Sequence, residues 1–258
     1  MREIYLNKLN TRELWEGIEN NTINKVILPF GSCESHGKHL PMGTDVFIPI
    51  EIAERIAREC EGTIIAPPVP FGTSINYNQY PMSINLRYET TIKLTEDILT
   101  SLIKYGLKNI IILNGHDANI PALEIAARNV KNKNKEATII IVPGWWYYSR
   151  TILKDNYSTW DGKGHAGEAE TSLMMAIDEK LVDLDRACCQ VHNDVNELTQ
   201  HGVMVIWDIN EVTKTGTTGD SKSATLEKGQ LLLNEFTKYL ISLVKKLDNM
   251  DWKYDYKL

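Results

Sequence analysis

The hydrophobic residues of this chain recur with two different periods, and the two periods alternate along the sequence. Four short apolar runs, rich in β-branched residues, have the length of buried strands and lie at 25–30, 63–66, 109–113 and 138–142. Between them, apolar residues at three- and four-residue spacing predict crossover helices at 46–59, 90–105 and 118–130. Strands that alternate with helices predict an α/β fold, and near-continuous apolar strands predict helices on both sheet faces. We therefore expect a three-layer αβα sandwich with a mostly parallel central sheet.

The pattern is looser toward the C-terminus. Residues 144–164 are aromatic and polar and are expected to form a long loop over one edge of the sheet. Further elements are predicted as a helix at 168–178, a strand at 202–207 and an amphipathic helix at 224–246. The glycine-, threonine- and serine-rich segment 213–223 is expected to be a loop without a readable role. No internal repeat occurs, so we expect residues 1–258 to form a single domain.

Composition narrows the class of protein. The chain has 258 residues, of which 43% are hydrophobic and 24% charged, and these values are typical of a globular fold and exclude a disordered chain. The net charge of −6 carries no basic block, so nucleic acid is not expected as a partner. No apolar run resembles a signal peptide or a membrane span, so we expect a cytoplasmic protein. Four cysteines without paired spacing argue against a disulfide scaffold.

Candidate chemistry begins directly after the first predicted strand, in the sequence Glu34-Ser-His36-Gly-Lys-His39-Leu-Pro-Met-Gly-Thr-Asp45. Ligands of α/β sheets bind beyond the carboxyl ends of the strands, which is where this segment starts. Glu34 and His36 leave an extended chain on the same face. Glycines at 37 and 43 allow the chain to curl, so Asp45 can return to the same point and bridge two metal ions.

Two further segments carry similar side chains. Asn114-Gly-His116-Asp-Ala-Asn119 follows the third predicted strand, so His116 is expected at the same rim of the sheet, with the two asparagines fixing the turn or holding a substrate oxygen. His165-Ala-Gly-Glu168-Ala-Glu170 precedes a predicted helix, where carboxylates are also favoured by the helix dipole alone. Carboxylate and imidazole without thiolate predict Zn²⁺, Mn²⁺ or Fe²⁺, and such ions activate water for amide hydrolysis.

These three segments resemble, in order and approximate spacing, the motifs of the creatininase family. The resemblance implies an αβα fold, an amidohydrolase activity on a small molecule, and a homo-oligomer that is often a hexamer. It also implies two divalent ions per subunit, with Glu34 and His116 on one, His36 on the other and Asp45 between them. Creatinine-cleaving members carry a further glutamate ligand where this chain has Ala118. We hypothesise that Glu170 replaces it.

The remaining site residues are predicted from their place in the motifs, except Trp145 and Trp146, which are predicted from their place in the loop after the fourth strand. His165 is expected to shuttle protons, because the family places a catalytic histidine there and the ordinary pKa of histidine is near neutrality. Glu168 is a second candidate catalytic group. Contacts with the metal ligands or with the substrate are predicted for His39, Asn114, Asn119, Trp145 and Trp146.

The predicted reaction is metal-dependent hydrolysis of a non-peptide carbon–nitrogen bond in a cyclic amide or a formamide. One alternative is hydrolytic opening of a cyclic ketone such as an inositol-derived diketone, because some members of the resembled family open such rings. Another is a metal-binding protein that keeps the fold without catalysis. A nucleotide-binding fold is disfavoured, because no Gly-x-Gly-x-x-Gly or Walker loop follows the first strand.

Overall fold

The computed structural model describes residues 3–158, 164–191, 198 and 204–253, and a four-stranded parallel sheet lies at its centre. The strands are β1 (Lys25–Phe30), β2 (Thr63–Ile65), β3 (Asn109–Asn114) and β4 (Thr138–Val142), in the spatial order β2-β1-β3-β4. All neighbouring pairs in this sheet are parallel. A short antiparallel pair, β5 (Cys189–Gln190) and β6 (Gly219–Asp220), lies apart from it. The predicted parallel sheet is confirmed.

Helices in the described part of the chain flank the sheet. They are α1 (Thr11–Glu19), α2 (Thr44–Glu59), α3 (Tyr88–Lys104), α4 (Ile120–Lys133), α5 (Trp145–Ile152), α6 (Glu168–Asp178), α7 (Ile209–Val212) and α8 (Leu226–Asp248). The five predicted helices correspond to α2, α3, α4, α6 and α8. Helix α1 was not predicted, although Asn10 and Glu13 form a capping box at its start. None of these helices combines the length and the apolar composition that a bilayer crossing requires.

Alternating residues of the strands face two separate cores. Ile27 and Ile111 point to one face, where they pack with α2, α6 and α8. Val26 and Ile110 point to the other face, where α3 and α4 cover them and α1 packs at the margin. Because helices cover both faces, every residue of β1 is buried. The expected αβα layering is confirmed.

Two sequence-based expectations were wrong. The segment predicted as a long loop begins with helix α5, because Trp145 and Tyr148, three residues apart, pack on one helical face: Trp145 is buried and the ring of Tyr148 lies 5.4 Å from that of Phe236 in α8. In the predicted strand 202–207, the described residues 204–207 have no strand pairing. Met204 and Ile206 are 83% and 90% exposed, so these apolar side chains do not pack into either core.

Candidate metal centre

The candidate site lies where the parallel strands end. Phe30 of β1 is in register with Asn114 of β3, and the N–H of Gly115 donates to the carbonyl of Phe30 over 2.8 Å. The loops that follow these two strands therefore start side by side. The first loop carries Glu34 and His36 and the second carries His116, so the sheet register brings together side chains that are about 80 positions apart in the sequence.

Asp45 reaches the same place from the first turn of α2. A Cβ atom at Gly115 would overlap the carbonyl oxygen of Asp45, and one at Gly31 would lie 2.5 Å from it. The same carbonyl receives no helical hydrogen bond from residue 49, because that residue is Pro49 and has no N–H. The start of α2 thus packs directly against the backbones of Gly31 and Gly115, and only glycine at these two positions permits so close an approach.

Six side chains then converge, and we call them the pocket floor: Glu34, His36, Asp45, His116, His165 and Glu170. Their nitrogen and carboxylate oxygen atoms form three groups able to hold a metal ion, each with all of its atoms within 4.8 Å of one another. The groups are Glu34/Asp45/His116, His36/Asp45/Glu170 and Glu34/His36/His165. Glu34, His36 and Asp45 each belong to two of them.

Two buried carboxylate oxygens in the floor have no hydrogen-bond partner among the described residues. Glu34 Oε1 and Asp45 Oδ2 lie only 3.2 and 3.0 Å from Nδ1 of His116, but without the alignment of a hydrogen bond. Buried charges are costly unless they are paired, hydrogen-bonded or bound to a metal. Acceptors that crowd around a common point in this way fit a bound cation, and the oxygen and nitrogen donors suit Zn²⁺, Mn²⁺ or Fe²⁺.

The histidines of the floor share one hydrogen-bonding arrangement. Nε2 of His116 lies 2.8 Å from the carbonyl of Thr73, and Nδ1 of His36 lies 3.2 Å from the carbonyl of Glu34. A carbonyl only accepts, so each of these nitrogens carries a proton. The other ring nitrogen faces the carboxylates: Nε2 of His36 lies 3.1 Å from Asp45 Oδ1, and Nδ1 of His116 lies 3.0 Å from Asp45 Oδ2. Metal-binding histidines are commonly oriented by such a second contact.

The electrostatics of the floor favour positive charge. Burial lowers the pKa of His36, but the negative charges of Asp45 and Glu170 outweigh burial and raise that pKa to about 10. Burial likewise lowers the pKa of His116, whereas Glu34 and Asp45 raise it well above its usual value. Burial, opposed by His36 and reinforced by Asp45, raises the pKa of Glu170 to about 7. A divalent cation would satisfy the same carboxylates and displace these protons.

His165 differs from the other two histidines. Burial and the nearby His36 lower its pKa well below the usual value, so its ring is neutral. Nε2 lies 2.6 Å from the carbonyl of Ser35 and therefore carries the proton, while Nδ1 lies 3.9 Å from Glu34 Oε1. The predicted proton shuttle is thus in the pocket floor, with an unprotonated nitrogen toward the ligand atoms.

The two acids of α6 have different surroundings. Glu170 accepts a hydrogen bond from the N–H of Ala166 over 2.7 Å, and its Oε2 lies 3.8 Å from Nε2 of His36. Glu168 is equally buried but forms an ion pair with Lys228 of α8 and accepts hydrogen bonds from the N–H of Ser158. Residues two apart on a helix point in different directions. The structure therefore brings Glu170 into the floor and leaves Glu168 outside it.

The predicted supporting residues lie behind the floor. Nε2 of His39 is 3.0 Å from the hydroxyl of Thr171 in α6. The side-chain amide of Asn114 donates to the carbonyls of His116 and Pro143, which ties the loop after β3 to the loop after β4. Asn119 donates to the carbonyl of Gly31 and accepts from the N–H of Thr73, so it connects the loops after β1 and β2. These side chains hold the loops together and do not line the pocket.

A pocket of about 260 Å³ opens above the floor. We call its other lining side chains the pocket wall, which consists of Tyr77, Asp117, Trp145, Trp146, Arg150, Ile209 and Thr218. Both predicted tryptophans are among them. Larger surface grooves exist, including one of about 740 Å³ between α1 and α3, but among the described residues none of these grooves is lined by a metal-ligating group.

Sequence reasoning missed several residues of the wall. Tyr77 is buried and its ring lies 4.4 Å from that of His165, but it comes from a single 3-10 turn (Ile75–Tyr77) after β2 that has no recognisable motif. Its position beyond a strand of the sheet was the available signal. The hydroxyl of Thr218 accepts from the N–H of His165 over 2.9 Å, and it belongs to the segment whose role could not be read. Only the folded chain brings these two residues to the site.

Comparison with known proteins agrees with this geometry. Residues 7–244 match the model of the creatininase family, described as creatinine amidohydrolase. Creatinine amidohydrolase of Pseudomonas putida is 27% identical over 223 residues, covering 81% of this chain and 84% of that protein. The mycofactocin precursor peptide peptidase of Mycolicibacterium smegmatis is 25% identical over 238 residues, covering 88% and 87%.

Solved structures share the fold. Two creatininases, one named as a manganese form and one as a mutant of zinc–zinc type, match with TM-scores of 0.83 and 0.82. Their sequence identities are 22% and 23%, and each match covers 95% of this chain and 98% of the other. The family match over residues 7–244 includes every residue of the pocket floor. The chain therefore belongs to the creatininase family of metal-dependent amidohydrolases.

Proposed function

We propose that this protein is a dinuclear-metal-dependent amidohydrolase that cleaves a non-peptide carbon–nitrogen bond of a cyclic amide or a formamide. The observation that carries the proposal is the position of Asp45, whose two carboxylate oxygens face different histidines: Oδ1 lies 3.1 Å from Nε2 of His36, and Oδ2 lies 3.0 Å from Nδ1 of His116. A carboxylate with two oxygens can bridge a pair of ions. The zinc–zinc type of a solved creatininase supports a pair over a single ion.

The two ligand groups that contain Asp45 would each hold one ion. Glu34, Asp45 and His116 would hold the first ion, and His36, Asp45 and Glu170 would hold the second. In this assignment Glu170 supplies a carboxylate to the second ion. Residue 118 is an alanine and has no side-chain atom that could bind a metal. Zn²⁺, Mn²⁺ and Fe²⁺ all suit this donor set. When bound, such ions polarise a carbonyl oxygen and make water a stronger acid.

In our proposal His165 carries protons in this reaction, and a metal ion bound by His36 would displace the proton there that adds to burial in lowering the pKa of His165. Its neutral ring donates from Nε2 to the carbonyl of Ser35, which fixes the ring and leaves Nδ1 without a proton. In our proposal Nδ1 takes a proton from the attacking water and delivers it to the leaving nitrogen. In our proposal the hydroxyl of Tyr77 donates a hydrogen bond to the oxygen of the tetrahedral intermediate, a role supported by the position of Tyr77 in the pocket wall with its ring 4.4 Å from that of His165.

The size of the pocket supports a small substrate. A volume of about 260 Å³ lies at or below the lower end of the range usual for sites of drug-sized ligands. Trp145 is buried and its ring meets that of Trp146 edge to face at 5.7 Å, so aromatic surface borders the pocket. Such surface suits a planar amide or a ring. We therefore favour a small amide over a peptide.

Metal content tests the proposal first. Protein purified without chelator is expected to hold close to two divalent ions per chain by mass spectrometry, and Asp45→Ala is expected to hold less than one. Asp117→Asn is the matched control, because Asp117 lines the same pocket but belongs to none of the ligand groups. No transition metal in the wild type, even after reconstitution with Zn²⁺, Mn²⁺ or Fe²⁺, would overturn the proposed mechanism.

Two further variants test the assigned roles. Glu170→Gln is expected to retain about one ion, and full metal content with full activity would show that Glu170 is not a ligand. His165→Gln is expected to retain both ions but to lose hydrolysis of cyclic amides and formamides. Loss of an ion in His165→Gln would instead make His165 a ligand through the third group of the floor. Cyclic ketones in the same substrate panel test the ring-opening alternative.

The remaining expectations from the sequence stay part of the proposal. We propose that residues 1–258 form one domain, that the protein resides in the cytoplasm, and that it assembles as a homo-oligomer, with a hexamer as the first assembly to test. Light scattering of the metal-loaded protein measures the assembly, and cell fractionation measures the location.

A further inference from the structure

Arg150 is the one arginine or lysine among the described residues that line the pocket. It lies on α5, the helix that starts directly after β4, and it is one helical turn beyond Trp146. Residues four apart on a helix share a face. Trp146 and Arg150 therefore present an aromatic ring and a guanidinium to the same side of the pocket wall.

The charge of Arg150 has no partner in the described structure. Four other helical arginines pair with a glutamate four residues away: Arg12 with Glu16, Arg55 with Glu51, Arg58 with Glu54 and Arg128 with Glu124, at 2.7–3.1 Å. At Arg150 the corresponding positions are Trp146 and Lys154, which offer no carboxylate. Among the described residues, no carboxylate oxygen lies within 4.0 Å of its guanidinium. Within the described part of the chain, this arginine is thus left without a neutralising carboxylate at the pocket.

The other charges around the pocket set its electrostatic character. The floor contributes the carboxylates of Glu34, Asp45 and Glu170, and two bound divalent ions would more than neutralise these three charges. Asp117 is the one acid of the wall and forms no ion pair with Arg150. With metal in place, the pocket would hold more positive than negative charge. Such a pocket repels a cationic ligand and attracts an anionic one.

From this arrangement we propose that Arg150 binds a carboxylate carried by the substrate. The proposal rests on the proposed function and specifies its substrate class: a small cyclic amide or formamide with a carboxylate group separate from the bond that is cleaved. The planar guanidinium can donate two parallel hydrogen bonds to a carboxylate, which gives orientation as well as affinity. The carboxylate binds at the wall while the amide carbonyl faces the floor.

Binding of matched ligand pairs to the zinc-loaded protein tests this proposal without requiring turnover. 5-Oxoproline and 2-pyrrolidinone are both five-membered cyclic amides, and only the former carries a carboxylate. N-Formylglycine and N-methylformamide form the corresponding pair of formamides. Titration calorimetry is performed on the wild type, Arg150→Gln, Arg150→Lys and Arg128→Gln. Arg128 is the control, because it lies on α4 and is paired with Glu124.

The wild type is expected to bind the carboxylate member of at least one pair about tenfold or more tightly than Arg150→Gln, because a hydrogen-bonded charge pair is lost. The neutral member should bind both proteins alike, Arg150→Lys should be intermediate, and Arg128→Gln should match the wild type. No preference of the wild type for the carboxylate member in either pair would overturn the proposal. A preference that survives in Arg150→Gln would also overturn it.

Metal content measured on the same samples separates this proposal from the proposed function. If two ions are bound and neutral amides are hydrolysed but Arg150→Gln changes nothing, only the assignment of the carboxylate is wrong. If no ion binds, the proposed function itself fails. Asp117→Asn tests the opposite charge: tighter binding of aminated ligands to the wild type than to Asp117→Asn would indicate a cationic substrate and contradict the role of Arg150.

Discussion

The floor and the wall of the pocket are built in different ways. In the floor, Glu34, His36 and Asp45 are buried almost completely, and each belongs to two groups whose ligand atoms lie within 4.8 Å of one another. In the wall, Trp146 is only half-buried and Arg150 is exposed. A floor of mutually dependent charges tolerates little change, whereas a wall of independent side chains can vary. Chemistry is therefore expected to depend on the floor and substrate choice on the wall.

The largest effect is expected from a change that does not remove a ligand. Gly115→Ala would place a methyl group against the carbonyl oxygen of Asp45 and push the start of α2 away from β3. A displacement of about 1 Å at a reacting site costs roughly 100-fold in rate, and we expect at least that loss in kcat/KM together with loss of bound metal. Metal analysis and amide hydrolysis measure both.

Gly43→Ala is the matched control for this prediction. It lies two residues from Asp45, but its new methyl group would meet only the partly exposed ring of Phe47, at 3.3 Å. It should keep both metal and activity. If Gly115→Ala also keeps both, the contact between Gly115 and Asp45 does not position the floor.

The next effect contrasts two acids of the same helix. Glu168→Gln removes the buried partner of the ion pair with Lys228, whose side chain is 23% exposed, so the free energy of unfolding is expected to fall by about 3 kcal/mol, the lower end for a fully buried pair. Because Glu168 lies outside the floor, the folded variant should retain its metal. Glu170→Gln should show the opposite result, with lost metal and a smaller change in stability. Chemical denaturation measures the stability of the two variants, and metal analysis of the same samples measures their bound ions. Loss of metal in Glu168→Gln would show that Glu168 contributes to metal binding.

A third prediction concerns how the stability of the chelated, metal-free protein changes with pH. The pKa of His36, raised to about 10, lies above its unfolded value near 6.5, so His36 contributes stability that is complete below pH 6.5 and is lost as pH rises through 10. Glu170, with its pKa raised to about 7, acts in the same direction from about pH 4.5 upward. The Tm of chelated protein should therefore fall between pH 7 and pH 10.

Bound metal should remove this dependence, because His36 and Glu170 then carry an ion in place of protons. The Tm difference between metal-loaded and chelated protein should widen as pH rises. Thermal unfolding with and without chelator measures this difference across the pH range. A Tm difference that does not change with pH would contradict the raised pKa values of His36 and Glu170.

The smallest effect is expected in the wall. Gly144→Ala would place a methyl group where the ring of Trp146 now lies, so the ring must move relative to the pocket. Because the substrate then loses its apolar contact with the Trp146 ring, we expect KM to rise by about tenfold. Metal content should not change. Trp146→Phe, which shortens the ring without displacing it, should raise KM less. A fall in kcat without a change in KM would assign Trp146 to the chemistry instead.

Much of the floor followed from the sequence because its residues occur in short motifs. Glu34, His36 and Asp45 lie within a dozen positions after one strand, and His116 follows another strand of the same sheet. Parallel strands end at a common edge, so a correct prediction of β1 and β3 was enough to bring them together. Glu170 was predicted only as a replacement for the ligand missing at Ala118, and the structure brings it within 3.8 Å of His36.

The sequence by itself determined the parallel sheet, its two helical layers and the ligand types, because strand period, helix period and side-chain chemistry are local properties. The tertiary structure decided which of two neighbouring acids faces the site, because helix rotation relative to Lys228 and His36 depends on packing between α6, α8 and the sheet. It also decided the wall. Tyr77, Arg150 and Thr218 come from three unrelated segments, and only long-range packing places them around one pocket.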